Sequence, residues 1–376
     1  MTLKKVLFIV SEDWYFISHR LSLAKSAIDN GYEVTLITRI SKHRDYLNSL
    51  GIKTVNWPII RRSLNPFQEL KTIYCIIKTV RSYKPDLIYS VGIKPVIYTV
   101  LSKTLFNVNG IVLALAGLGF IFRSNRFSAK LIKLFIVSIF RIFLNGSKNI
   151  RLIVQNNDDS EIIKHLKIIS IDKIRIIHGS GIDINDYFPN FVPHDVPLVI
   201  LPGRMLWDKG VGDFISCAKR CFNEKVQVRF ALVGEPDVHN PESVSKTLLK
   251  DWEDQQIIEY WGRRENMLEV YNMSDIVCFP SYHEGLPRAL LEAASCEVPI
   301  VAYDVSGCRE VVKDNENGFL VPFKDENALF IAVIKLLNDS KLRRQMGQKG
   351  RQIVRERFTE KKINSETFNV WSEVIK

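Results

Sequence analysis

No run among the 376 residues approaches the ~18 consecutive apolar positions that a bilayer-spanning helix needs, so an integral membrane span is not expected. The first apolar run, residues 6–10, meets Ser11-Glu12-Asp13 at once and is too short for a secretory leader. The six cysteines form no CxxC pair, and four of them sit in segments that read as apolar strand or helix. They read as small core residues in a reducing compartment, not as a disulfide frame. The histidines show no metal-ligand spacing, and neither an internal repeat nor a low-complexity tail occurs. Acid is scarce in the first half: residues 1–190 carry 27 Lys+Arg against 13 Asp+Glu, whereas the remainder carries 25 against 28.

That asymmetry accounts for the formal charge of +11 and points to a surface that meets polyanions, whether nucleic acid, anionic lipid or phosphorylated substrate. Nucleic acid lacks support, because no recognised reading motif is present. At 46% hydrophobic residues the chain has material for two cores.

Short apolar runs alternate with helical patterns. Strands are expected at 4–10, 33–38, 53–60, 86–90, 110–115 and 152–155, then at 198–201, 226–233, 257–261, 276–279, 300–303 and 319–321. Such alternation predicts α/β architecture with two doubly wound, mainly parallel sheets in tandem. Three prolines within 188–197 mark a linker. The expected division is therefore 1–190, 191–358, and a closing helix over 359–376 that crosses back to the first domain. The stretch from about 326 to the end reads as continuous helix-forming sequence.

Two stretches carry candidate chemistry. In Leu198-Val199-Ile200-Leu201-Pro202-Gly203-Arg204-Met205-Leu206-Trp207-Asp208-Lys209-Gly210, a strand runs through a loop into a helix, and Arg204 and Lys209 bracket the turn. Two cations beside a helix N-terminus suit a diphosphate, or else are solvated surface charges. In Pro280-Ser281-Tyr282-His283-Glu284-Gly285-Leu286-Pro287-Arg288-Ala289-Leu290-Leu291-Glu292, Glu284 falls in a strand-to-helix loop. Pro287 is placed for the first helical turn and Glu292 for the first or second. Both acids suit ligand hydroxyls at the carboxyl ends of strands; the plain alternative is a loop acid and a helix-start acid. Gly234 and Gly262 end two further strands, with Arg263 following.

Pro202-Gly203-Arg204 with Lys209-Gly210, the strand end at Gly262, Glu284 and Glu292 as E-x7-E, Gly307-Cys308-Arg309-Glu310 and Asn317-Gly318 resemble, in linked order, the donor half of retaining GT-B glycosyltransferases of family 4. The wording around Glu284 and the early Ser18-His19-Arg20 resemble the enzymes that build O-antigen, capsule and lipid-linked oligosaccharides. The resemblance covers most of the chain and implies a GT-B fold, two Rossmann-like domains facing a central crevice. It assigns Arg204 and Lys209 to the donor diphosphate, Glu284 with Gly285, Leu286 and Pro287 to the donor sugar, Glu292 to the ribose, and the loop at Gly262 and Arg263 to the base, with Gly234 at a converging strand end. The donor would be UDP-linked, an N-acetylhexosamine by resemblance, and the acceptor a polyprenyl-diphosphate-linked saccharide. Alternatives are a GDP-sugar, a soluble acceptor, or a nucleotide-sugar-binding subunit without turnover.

Such enzymes need no cofactor and no metal, and the chain contains no Asp-x-Asp. Retention would proceed by same-face attack, a donor phosphate oxygen taking the acceptor's proton, so Glu284 is no nucleophile. One departure stands out: relatives carry a glycine-rich loop after the first strand, and residues 11–20 here contain no glycine. On the acceptor side, His19 reads either as positioning the acceptor hydroxyl or as a helix-start residue that caps or packs. Lys94, after the strand at 86–90, reads either as a contact for an anionic acceptor or as a plain surface lysine. Residues 123–145 mix Arg123, Arg126, Lys130, Lys133 and Arg141 with a mostly apolar middle. That pattern fits a peripheral helix on an anionic membrane or a buried helix with a charged leading end. Arg61, Arg62, Lys71, Lys78, Arg81 and Lys84 add to the same basic half. The expected location is cytoplasmic, at the inner face of the membrane.

Overall fold

The computed structural model describes residues 3–60, 65–105, 108–118, 127–144, 147–192, 194–237 and 240–375. The β-branched and aromatic run after Leu3 forms β1 (Lys4–Glu12), and the chain passes straight into α1 (Asp13–Asp29). The alternation continues as β2 (Tyr32–Arg39), α2 (Arg44–Ser49), β3 (Lys53–Asn56), α3 (Pro66–Tyr83), β4 (Leu87–Val91), α4 (Ile93–Ser102), β5 (Gly110–Ala114), α5 (Phe127–Leu144), β6 (Ile150–Val154), α6 (Asn157–His165) and β7 (Ile174–Ile176). All seven strands pair in parallel, in the order β3-β2-β1-β4-β5-β6-β7. The order reverses between β1 and β4.

A second series follows: β8 (Leu198–Pro202), α7 (Val211–Asn223), β9 (Arg229–Val233), α8 (Lys246–Asp254), β10 (Glu259–Gly262), α9 (Met267–Asn272), β11 (Ile276–Phe279), α10 (Arg288–Ser295), β12 (Ile300–Tyr303), α11 (Ser306–Val311), β13 (Gly318–Val321), α12 (Glu326–Asn338) and α13 (Ser340–Arg357). Its sheet is also parallel, in the order β10-β9-β8-β11-β12-β13, and reverses between β8 and β11.

The chain divides into one unit of residues Met1–Ser180 with Glu360–Lys376, and a second of Gly181–Thr359. Against the expected boundary at 190, residues 181–190 belong to the second unit. Ile182 is buried in that core and bridges Thr359, and Asn190 N–H donates to Asn272 Oδ1 at 2.8 Å. The expected strand over 53–60 ends at Asn56, short of Pro58, and the three-residue β7 has no counterpart in the expected strand series. The closing stretch is three helices, not one: Asp339 caps α13 by accepting from Leu342 N–H, and a second break falls at Phe358-Thr359.

The last helix, α14 (Glu360–Ser372), packs in the first unit, where Trp371 lies among Phe8, Tyr32, Tyr89 and Phe368. Just beyond it Glu373 binds Arg151 at 2.5 Å and Arg175 at 2.6 and 2.9 Å. The bond from Arg175 holds the Glu373 carboxyl below its ordinary pKa, against the pull of its partial burial, and Arg151 adds to the effect. A carboxylate depressed on folding stabilises above its unfolded pKa, and the stabilisation is lost as pH falls through the folded value. Glu373→Gln should therefore lower the melting temperature at neutral pH, with the two melting curves converging below about pH 4. A gap that persists under acid would reject the ion pairs as its source.

Candidate functional site

In an open parallel sheet, ligands collect outside the carboxyl ends of the strands where the strand order reverses. In the second unit that point lies between β8 and β11, and the chain segments leaving these two strands carry the candidate residues. Past β8, Lys209 precedes α7; past β11, Glu284 precedes α10. Lys209 Nζ donates to Glu284 Oε1 at 2.6 Å, and Ser281 Oγ donates to the same oxygen at 2.8 Å. Both side chains are largely shielded from water, at 18% and 13% exposure. Among the described residues no hydrogen bond reaches Glu284 Oε2, so both side-chain bonds converge on one carboxylate oxygen.

The two segments interlock through backbone. Tyr282 N–H donates to the Asp208 carbonyl at 2.9 Å. Gly210, at φ 74°, lies so close to Pro280 that an added Cβ would sit 2.0 Å from its carbonyl oxygen. At Gly307 in α11 a Cβ would come within 2.7 Å of Glu284 Cβ. Only glycine allows either approach. Neither α7 nor α10 has a side-chain cap, and because each follows one of two parallel neighbouring strands their N-termini lie at the same edge of the sheet.

Arg204 stands apart from this pair. It is half exposed and reaches Asp237 Oδ2 at 3.1 Å. Gly234 N–H donates to the Gly262 carbonyl at 2.8 Å, which ties the ends of β9 and β10 together. Arg263 helps line a cavity of about 440 Å³ with Trp261, Arg264, Asn266 and Glu269. Gly285, Leu286 and Pro287 complete the turn into α10, where Pro287 is the N-cap and not, as the sequence suggests, a first-turn residue. Glu292 falls on the second turn, buried. Arg288 Nε donates to its Oε1 at 2.9 Å and the Tyr271 hydroxyl to its Oε2 at 3.1 Å. Burial and this carboxylate push the Tyr271 hydroxyl well above its ordinary pKa, and Tyr187 is raised by the same two causes. The i, i+4 spacing of Arg288 and Glu292 is legible in the sequence; Tyr271 and Tyr187 carry no local signal.

In the first unit the reversal lies between β1 and β4. The strand-to-helix junction that lacks glycine is built on Asp13. Its carboxylate accepts from Ser41 N–H at 2.8 Å, Ser41 Oγ at 2.7 Å and Trp14 N–H at 2.8 Å, pinning the segment after β2 to the start of α1. Burial raises its pKa, and these bonds, with one from His43, outweigh the burial and leave it below the ordinary value. His19 is not at the helix start but on the second turn of α1, where its ring stacks on Tyr15 at 4.4 Å and Nδ1 is 2.6 Å from Ser18 Oγ. Lys94, in α4, is held by Glu69 at 3.1 Å and by the Ile60 carbonyl at 3.0 Å.

On α5, Leu131, Leu134, Phe135 and Ile142 are exposed alongside Lys130 and Arg141, while Ile136, Val137, Ile139 and Phe140 face the core. The face of α3 turned to solvent runs Phe67, Leu70, Lys71, Tyr74, Lys78, Arg81, apolar first and then basic. Arg61, Arg62, Arg123 and Arg126 lie outside the described residues. Among the described residues no helix is long and apolar enough to cross a membrane.

Residues 184–353 match the family model described as Glycosyl transferases group 1, and residues 5–157 the model described as Glycosyl transferase 4-like. The chain is 27% identical to the N,N'-diacetylbacillosaminyl-diphospho-undecaprenol alpha-1,3-N-acetylgalactosaminyltransferase of Campylobacter jejuni, over 96% of this chain and 98% of the relative. It is 24% identical to the UDP-Gal:alpha-D-GlcNAc-diphosphoundecaprenol alpha-1,3-galactosyltransferase of Escherichia coli, over 83% and 81%. Among solved structures, HepE of Anabaena in complex with UDP and glucose superimposes with a TM-score of 0.78 at 18% identity, covering 99% of this chain and all of HepE.

Proposed function

We propose, from the two glycosyltransferase models that residues 5–157 and 184–353 match, that this chain is a family 4 glycosyltransferase that transfers an N-acetylhexosamine, with retention and without a metal, from a UDP-sugar to a polyprenyl-diphosphate-linked saccharide. The observation that carries the reading is the shielded Lys209–Glu284 pair at the strand reversal of the second unit, where an ammonium and a half-engaged carboxylate sit between two uncapped helix ends. Support for the acceptor comes from the two bacterial relatives, both named for sugars on diphospho-undecaprenol. Support for UDP comes from the second relative's donor and from the HepE complex.

In this reading Lys209 and Arg204 receive the donor diphosphate, Glu284 accepts from a sugar hydroxyl through Oε2, Glu292 accepts from the ribose, and Arg263 borders the base. The bond from the anomeric carbon to the diphosphate breaks as the acceptor oxygen attacks from the same face, and a departing phosphate oxygen takes the acceptor's proton. Charge growing on the leaving group is met by fixed cations and helix N-termini, so no protein nucleophile is needed. His19 orients the acceptor; Lys94 joins only by exchanging Glu69 for an acceptor anion. The exposed stripes of α3 and α5 seat the first unit peripherally on the anionic inner face of the membrane.

The test is transfer from a panel of nucleotide sugars to lipid-linked saccharides in vesicles, followed by mass spectrometry and by the anomeric configuration of the product. An added N-acetylhexosamine in the donor's own configuration is expected, with activity and sedimentation both greater on anionic vesicles at low salt. Tight UDP binding with no transfer to any lipid-linked acceptor would instead identify a binding subunit.

A further inference from the structure

The bonds to Glu284 Oε1 orient the carboxylate only while the loop that bears it stays in place. Two residues back, the Tyr282 hydroxyl donates to Asp213 Oδ1 at 3.3 Å, and Tyr303, closing β12, donates to Asp213 Oδ2 at 2.9 Å. Asp213 lies on α7, one turn beyond Lys209, and is only 8% exposed. Among the described residues no cation ion-pairs with it; Lys324 stands 4.6 Å over the Tyr282 ring instead. A carboxylate buried against neutral hydroxyls costs stability that an apolar side chain would not. Such a network is worth its cost where it fixes one geometry. Burial raises the Asp213 carboxyl pKa, and burial with Asp213 pushes the Tyr282 hydroxyl up to about 12.

We propose that Asp213 is a positioning residue for the sugar-binding loop: through Tyr282 it sets where Glu284 stands against Lys209, without touching the donor itself. The segment from Lys209 into α7 thus holds the loop twice, by an amine before the helix and by a carboxylate in its first turn. The inference rests on the reading of Glu284 as the sugar-binding carboxylate.

Titration calorimetry with UDP and with the UDP-sugar panel, run on wild type, Asp213→Asn, Tyr282→Phe and Glu284→Gln, tests it. Asp213→Asn and Tyr282→Phe should leave UDP affinity within about twofold while weakening UDP-sugar binding and kcat/KM about tenfold or more, as displacement of a positioned group does. The Asp213→Asn loss should vanish in the Glu284→Gln background, because both act through one carboxylate. Equal losses for UDP and UDP-sugar, or additive losses in the double variant, would reduce Asp213 to a structural residue. Tyr282→Phe removes a single hydroxyl and decides the matter if Asp213→Asn fails to fold. Should Glu284→Gln itself leave UDP-sugar binding intact, the site reading falls and the inference with it. If Glu284→Gln impairs binding and Asp213→Asn does not, the inference alone falls.

Discussion

Replacing Glu284 by alanine should lower transfer about a hundredfold, with the melting temperature changed by no more than a few degrees. The lost interaction is a charge-assisted hydrogen bond to a donor hydroxyl, which in a shielded site is worth about one to two orders of magnitude in rate. The substitution also strands Lys209, whose Nζ keeps, among the described residues, a long contact to the His283 carbonyl at 3.5 Å. Lys209→Ala should cost more, about 10² to 10³ in kcat, because it withdraws a fixed charge from a leaving group that becomes more anionic as the reaction proceeds. The two losses differ in kind. Without Lys209, UDP inhibition should weaken together with turnover; without Glu284, UDP should bind as before and only sugar nucleotides should suffer. Since the side chains form one pair, the double variant should fall short of the product of the single effects. Near-normal transfer in both single variants would remove the site from this edge of the sheet.

Trp371→Ala should be the most damaging single change outside the site, destabilising the first unit by about 3–5 kcal/mol. The indole is fully buried, and its ring centroid lies 5.0 Å from Phe368, 5.6 Å from Tyr89, 5.8 Å from Tyr32 and 5.9 Å from Phe8. Removing it opens a cavity between α14 and the sheet that rigid aromatic neighbours cannot fill. For a unit of this size the loss corresponds to a drop of roughly 10 °C in melting temperature. Differential scanning calorimetry should show it in the transition of the first unit, leaving that of residues 181–359 in place. Trp371→Phe should be milder than its lost volume implies, because the indole N–H is buried without a partner among the described residues and phenylalanine has no such donor to desolvate. A shift under about 2 °C for the alanine variant would mean that α14 contributes little to this core.

The parts of the site that local sequence conveys are those built from one strand and the turn after it. Lys209 sits a few residues past an apolar strand and before a helix start, and Glu284 occupies the same place after another strand, so both could be assigned to the ligand edge without knowing the strand order. That β8 and β11 are neighbours, which makes Lys209 and Glu284 partners, depends on sheet topology and not on either segment. Asp213 and Tyr282 meet across 69 positions, and Lys94 and Glu69 across 25. No periodicity announces such pairs, because each depends on how two helices or loops pack. Lys94 illustrates this: its neighbourhood reads either as an acceptor contact or as a plain surface lysine, and neither reading contains the Glu69 carboxylate that α3 brings to it. The breaks among the last helices escape notice for another reason. Asp339 and Phe358 end helices by a cap and a turn while the surrounding composition stays helix-favouring throughout.

The return of α14 to the first unit sets an order in time for making the protein. Residues 1–180 leave the ribosome before residues 360–376, yet the face of their sheet that carries Phe8 and Tyr89, covered in part by Phe16 of α1, is not completed until the later segment follows. At about 5–20 residues per second, translating the intervening 181–359 takes roughly ten to thirty-five seconds. Throughout that interval the nascent first unit presents the part of this aromatic face that α14 will cover, the kind of surface chaperones bind. The second unit, whose residues are contiguous, can complete its core first, so the unit whose strands are translated earlier is the one that finishes folding later.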